Sequence, residues 1–142
     1  MVVGNLFISG WWFKMKKKIN KIVGVISDEI VEKYKLYEYR DETIVQSLDL
    51  YQHIAKHIQE FENVDSYNNT VNSISNIIKN PKFVYYNSRK NSLLYFKKID
   101  ENVCVVVKLK LRKNKDTYVA TIYPISETKI NKYIELSYIV NK

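Results

Sequence analysis

The sequence predicts an α+β domain, with N-terminal helices packed on a C-terminal antiparallel β-meander, and three features predict it. Before Pro81 the apolar residues of two segments recur at spacings of three and four, the helical period. After Pro81 come four β-branched and aromatic runs, "KFVYY", "SLLYFKKI", "NVCVVVKLKL" and "TYVATIYPI". The segments between those runs, "NSRKN", "DEN" and "RKNKD", have the polar composition of hairpin connections. Helices followed by a run of adjacent strands is the order of an α+β domain. A chain of 142 residues is of single-domain size and buries a core without disulfide or metal staples.

Element by element, "KINKIVGVIS" reads as a strand interrupted by Gly24, and "SDEIVEKYKLY" as a helix of one or two turns capped by Ser27 or Asp28. "ETIVQSL" is a second short strand. The helix "YQHIAKHIQEF" follows it, with Leu50, Ile54, Ile58 and Phe61 on one stripe and His53, His57 and Glu60 on the adjoining stripe. Tyr67, Val71, Ile74 and Ile78 predict another helix, stopped by Asn80 and Pro81. "VCVVV" is so uniformly apolar that an interior strand is expected there. In the last meander strand, strict alternation puts Thr117, Val119, Thr121 and Tyr123 on one face and Tyr118, Ala120 and Ile122 on the other. "ETKINKYIELSYIV" reads as a short helix plus a strand.

The N-terminus has its own logic. "MVVGNLFISGWWF" precedes "KMKKK", which reverses the basic-then-apolar order of a secretory signal, and it is too short to span a bilayer. Residues 1–14 are therefore expected to be an extension, disordered or a start-site artefact, and residues 15–142 the single domain. Anchoring of Trp11, Trp12 and the lysines at a membrane surface is the competing reading of that segment.

The net charge is +8, and of the basic residues only Arg40, Arg89 and Arg112 are arginines. A lysine-rich surface of this sign attracts polyanions with little dependence on base sequence, although lysine also serves plain solubility. Lys108 and Lys110, sharing a face beyond the apolar run, and the hydroxyls of the last strand together suit a phosphate backbone. The single cysteine, Cys104, excludes an internal disulfide framework and is expected to be a buried thiol, which fits a reducing cytoplasm.

No P-loop, dinucleotide fingerprint or nucleophile elbow is present; the three glycines, Gly4, Gly10 and Gly24, cannot build the first two. His53 and His57 have the four-residue spacing of a helical zinc pair, but Ile54 stands where a metalloprotease has its glutamate, and neither a metal nor a small-molecule cofactor is expected. Cleaving RNA through its 2′-hydroxyl needs no metal, only a base, an acid and charge around the phosphorane. Residue types for those roles are His53 and His57 on the helix rim, Tyr95 and Lys97 on one strand, and Thr121 and Tyr123 on the last strand. Each also has an ordinary reading, the histidines as hydrogen-bonded border residues and the lysines as solvated strand positions.

The succession "KIVGVIS", "ETIVQSLDLYQHIAKHI", "ISNIIKNPKFVYY", "LLYFKKI", "VCVVVKLKL" and "YVATIYPIS" resembles the phage-associated nuclease domains of the barnase–EndoU–colicin–RelE superfamily over roughly residues 18–132. The resemblance implies a small α+β fold, written BECR-like, and metal-independent cutting of RNA to a 2′,3′-cyclic phosphate. It implies His53 and His57 as base and acid and Lys97 as the cation, with Thr121 and Ser126 contacting phosphate; apart from the resemblance, Tyr123 is expected as a further catalytic residue, an alternative acid for the leaving oxygen. Substrate contacts are expected from Tyr95, Lys108, Lys110, Ser126 and Lys129. Many relatives rely on an arginine, whereas Arg89 here falls in a hairpin turn and Arg112 at a strand end. Such domains end larger phage head-associated polypeptides or act as toxins, so the implied partners are RNA and an acidic antitoxin or immunity protein. Two rival readings remain open: a non-catalytic nucleic-acid-binding module and a structural or interaction protein of a phage particle.

Overall fold

A computed structural model describes residues 21–47, 49–110 and 116–140. The extension expected over 1–14, the domain start at Met15 and Arg112 lie outside the described residues. Six strands form one sheet: β1 (Lys21–Val25), β2 (Thr43–Gln46), β3 (Phe83–Asn87), β4 (Ser92–Lys98), β5 (Asn102–Lys108) and β6 (Thr117–Pro124). Their spatial order is β1-β2-β6-β5-β4-β3, antiparallel throughout except where β2 runs parallel to β6. The fold class is the α+β arrangement expected, with the two early strands extending the meander beyond β6. "VCVVV" does occupy an interior strand, β5.

Five helices join the strands: α1 (Asp28–Tyr34), α2 (Leu50–Ile54), α3 (Val64–Asn72), α4 (Ile74–Lys79) and α5 (Glu127–Val140). The Ser27 hydroxyl accepts from the Ile30 N–H and starts α1, with Asp28 and Glu29 in its first turn. Asn63 caps α3 in the same way through the Ser66 N–H, at 2.8 Å. The helix expected around Tyr67 to Ile78 is two helices broken at Ser73, whose N–H reaches back only three residues to the Thr70 carbonyl. Its apolar pattern still holds, since Tyr67, Ile74 and Ile78 are buried.

The histidine segment also departs from a single α-helix. After Ile54 it tightens to a 3₁₀ helix over Ala55–Glu60. Each residue then turns about 120° instead of 100°, so His53 and His57 end about 100° apart around the axis, against about 40° in a continuous α-helix.

Two cores flank the sheet. The larger lies between one face and α1 to α4, and contains Val23, Ile44, Leu50, Ile54, Ile77, Leu93, Tyr95, Val105 and Ile122. At Gly24 the approach of α4 is close: a Cβ there would sit 2.6 Å from Cγ2 of Ile78. The smaller core lies on the opposite face, where Ile130 of α5 packs with Leu94, Phe96 and Cys104, flanked by Phe83, Tyr85, Tyr123, Tyr133 and Ile134. The C-terminal segment is thus one 14-residue helix, not a helix plus a strand. Its β-branched and tyrosine content suggested a strand, but Ile130, Tyr133, Ile134 and Ser137 recur at spacings of three and four and face the sheet.

In β6 the pairing with β5 slips between Val106 and Val107, leaving Ala120 as the extra residue of a bulge. The slip reverses side-chain parity midway. Thr117, Val119 and Ile122 are buried toward the larger core, while Tyr118, Thr121 and Tyr123 belong to the opposite face. The faces expected from strict alternation are therefore corrected beyond Ala120.

Candidate active site at the end of β6

β2 pairs only with the beginning of β6, at Ile44–Thr117 and Val45–Tyr118. Along the rest of that edge run α2 and the 3₁₀ segment, both in contact with β6. This places the His57 ring 6.2 Å from the Tyr123 ring, centroid to centroid, tilted by 45°. His57 Nδ1 pairs with the Glu60 carboxylate at 2.5 Å, which orients the imidazole and leaves Nε2 as the nitrogen for proton transfer. Three residues of 3₁₀ helix make one turn, so this tighter segment stacks His57 directly under Glu60.

Tyr123 sits opposite Cys104 in the register. Burial pushes its phenol well above the usual tyrosine range, and the Cys104 thiol adds to the effect, so Tyr123 stays a neutral hydrogen-bond donor. Cys104 is fully buried, and burial raises its thiol up to about 12, which keeps it out of thiolate chemistry. Thr121, on the same face as Tyr123, is half-buried, and among the described residues its hydroxyl meets only the Ile122 carbonyl, at 3.5 Å. At that distance the hydroxyl is free to serve a ligand.

Beyond the end of β6 opens a cleft of about 490 Å³ lined by Glu60, Lys98, Pro124, Ser126 and Glu127 among others. Lys98 lies on the Phe96 and Tyr123 side of the pleat, through the registers Lys98–Asn102 and Phe96–Cys104–Tyr123. Glu62, Asp100 and Glu101 also line the cleft. Two of these are engaged: Glu101 accepts from Ser66 and from the Glu62 N–H, and Asp100 accepts from Asn69.

Of the residues expected at the site, His57 and Tyr123 come together, Thr121 shares the Tyr123 face of β6, and Ser126 stands on the cleft wall. Ser126 and Lys129 are exposed, and the Ser126 hydroxyl accepts from the Lys129 N–H and so caps the start of α5. His53 is exposed, one turn away.

Two expectations are corrected. Tyr95 is fully buried in the larger core, and its hydroxyl has no partner among the described residues, so it touches no substrate. Lys97 is on the opposite face of the sheet from Tyr123, its register being Lys97–Val103–Pro124, and its ammonium donates to the Asn80 carbonyl at 2.6 Å, closing the end of α4. Lys108 and Lys110, expected as substrate contacts, stand at the other end of the strands from His57 and Tyr123; Lys108 donates to the Lys90 carbonyl, and the Lys110 N–H donates to Thr117. The residues missed were Lys98 and the orienting role of Glu60. Alternation along "SLLYFKKI" puts Lys98 on the side of Phe96; only the bulge, invisible in sequence, shows that this is the Tyr123 face.

Among the described residues no helix is long and apolar enough to cross a membrane, and no three His, Cys, Asp or Glu side chains are grouped to hold a metal. Searches among curated proteins and among solved structures returned no match. A family model does match, that of the phage-Barnase-EndoU-ColicinE5/D-RelE like nuclease 3 family, over residues 20–132. That span takes in β1 through the first turns of α5, with His57, Glu60, Lys98, Thr121 and Tyr123 all inside it. The chain belongs to this family of phage-associated, nuclease-like domains.

Proposed function

We propose that the protein is a metal-independent endoribonuclease that cuts RNA by acid–base transesterification, acting in the cytoplasm as the toxin of a phage or mobile-element pair and held in check by an acidic antitoxin or immunity protein. The observation that carries the reading is the Glu60-oriented His57 imidazole against Tyr123, within a family of nuclease-like domains. His57 Nε2 takes the proton of the 2′-hydroxyl as the 2′-oxygen bonds to phosphorus. Thr121 and the neutral phenol of Tyr123 donate to the non-bridging oxygens, and Lys98 offsets the charge gathering on the phosphorane. The bond from phosphorus to the 5′-oxygen breaks, and His53 or the neutral phenol of Tyr123 returns a proton to that oxygen. The products are a 2′,3′-cyclic phosphate and a 5′-hydroxyl. The net charge of +8 supports both the polyanionic substrate and an acidic inhibitor.

The test is incubation of the purified protein with total RNA in excess chelator. Fragments ending in 2′,3′-cyclic phosphate are expected, and His57→Ala at unchanged melting temperature is expected to lose about 10²–10⁴-fold in rate. Cutting by that variant at the wild-type rate, or activity that a chelator removes and zinc restores, would overturn the mechanism. Salt-sensitive binding with intact RNA would favour a binding module instead.

A further inference from the structure

Among the described residues, the face that carries Tyr123 is covered over only part of its area. α5 packs over the part built from Phe83, Tyr85, Leu94, Phe96 and Cys104. At the opposite end of the strands a row of paired residues, Asn87–Ser92–Lys108–Tyr118, crosses four strands on that same face. Tyr118 is one of the protein's large exposed apolar side chains, at 37%. Beside the row stand Arg89 and Lys90 in the β3–β4 turn, exposed, and Lys110 just past β5, half-buried.

The Lys108 side chain reaches the Lys90 carbonyl, so turn and strand form one surface. None of Arg89, Lys90, Lys108 and Lys110 forms an ion pair among the described residues. Two carboxylates mark the limits of the strip: Asp116 precedes β6, and Glu38 lies by Tyr86 on the helix-covered face. The contrast with the other end of the strands, where five carboxylates and one lysine line the cleft, gives this face a charge gradient along β6.

We propose that this strip is an anchor for single-stranded RNA, with Tyr118 stacking under one base and Arg89, Lys90, Lys108 and Lys110 neutralising the neighbouring phosphates. The proposal rests on the nuclease reading and extends it. An exposed aromatic ring amid unpaired cations suits an unstacked base on a flexible backbone, which a duplex does not offer. From Tyr118 the strand leads through Thr121 to Tyr123, so the anchor lies roughly 15 Å from His57's neighbour along a rise of about 3.3 Å per residue. It holds a strand several nucleotides from the cut.

The experiment uses the full chain carrying His57→Ala, so that RNA stays intact, and a labelled single-stranded 12-mer. Adding Tyr118→Leu, which keeps apolar bulk but removes the ring, is expected to weaken binding about tenfold, while Tyr118→Phe binds as before. Adding Lys108→Gln is expected to flatten the plot of log affinity against log salt by about 0.7 for the phosphate it releases. Melting temperatures of the three variants are measured alongside. Equal binding by the Leu and Phe variants, an unchanged salt slope, or equal affinity for a duplex of the same sequence would overturn the anchor. A wild-type protein that binds in the expected manner but leaves RNA uncut refutes the nuclease reading alone. Cutting with Tyr118 and Lys108 inert refutes the anchor alone.

Discussion

Lys97 and Lys98 are consecutive, and the pleat of β4 sends them to opposite faces of the sheet. Lys97 satisfies a carbonyl at the end of α4, whereas Lys98 shares the cleft with Glu60. Lys98→Ala is accordingly expected to slow RNA cutting about 100-fold at unchanged stability, the scale of losing one charge-stabilising donor. Lys97→Met is expected to leave the rate alone and cost about 1 kcal/mol in urea unfolding. The reverse pattern would return the cation role to Lys97. Tyr95 gives an independent check on burial, because its hydroxyl is desolvated without a partner. Tyr95→Phe removes that penalty and is expected to stabilise the fold by about 1 kcal/mol with no change in cutting; a destabilised variant would mean that the hydroxyl is hydrogen-bonded after all.

At the scale of elements, the most sensitive contact is that of α4 on β1. The space between Gly24 and Ile78 is filled by the branched side chain close to its own backbone, which has little freedom to withdraw. Gly24→Ala is expected to cost about 1–3 kcal/mol of stability, measured as a lowered urea midpoint at constant slope, because an added methyl there overpacks the larger core. A midpoint equal to the wild type's would show that the helix shifts freely. The 3₁₀ turn after Ile54 and the bulge at Ala120 act together. One swings His57 away from His53, and the other swings Thr121 and Tyr123 to the face at that edge. Neither was legible, since hydrophobic spacing marks which residues are buried but carries little information on whether a helix winds at 3.0 or 3.6 residues per turn. The stripe of Leu50, Ile54, Ile58 and Phe61 was legible, and it lies against the core as its spacing required.

For the whole molecule, buried titratable groups set an alkaline limit. Cys104, at 9.0 when exposed and about 12 in the fold, keeps its proton where the unfolded chain has lost it, and the buried phenols of Tyr95 and Tyr123 are raised from 10.0 in the same sense. Between about pH 9 and 12 the unfolded state binds fewer protons than the folded one, so stability falls as pH rises through that window. Urea midpoints measured from pH 8 to 11 are expected to decline from about pH 9, less steeply in Cys104→Ser; a flat profile would mean that these groups are solvated in the native protein.

By itself the sequence determined the α+β class, the interior placement of "VCVVV", a helix start at Ser27 or Asp28 and a helix stop at Asn80, and the set of residue types proposed for RNA cutting. All of these follow from local periodicity, propensity and chemistry. Only the tertiary structure decided which of those residues meet. Strand alternation has a period of two, so one inserted residue at Ala120 exchanges the faces beyond it, and pairing with β5 rather than anything within β6 makes that insertion. The covering of part of this face by α5, which among the described residues does not reach Tyr118, was likewise settled only when a helix remote in the chain packed onto strands β3 to β5.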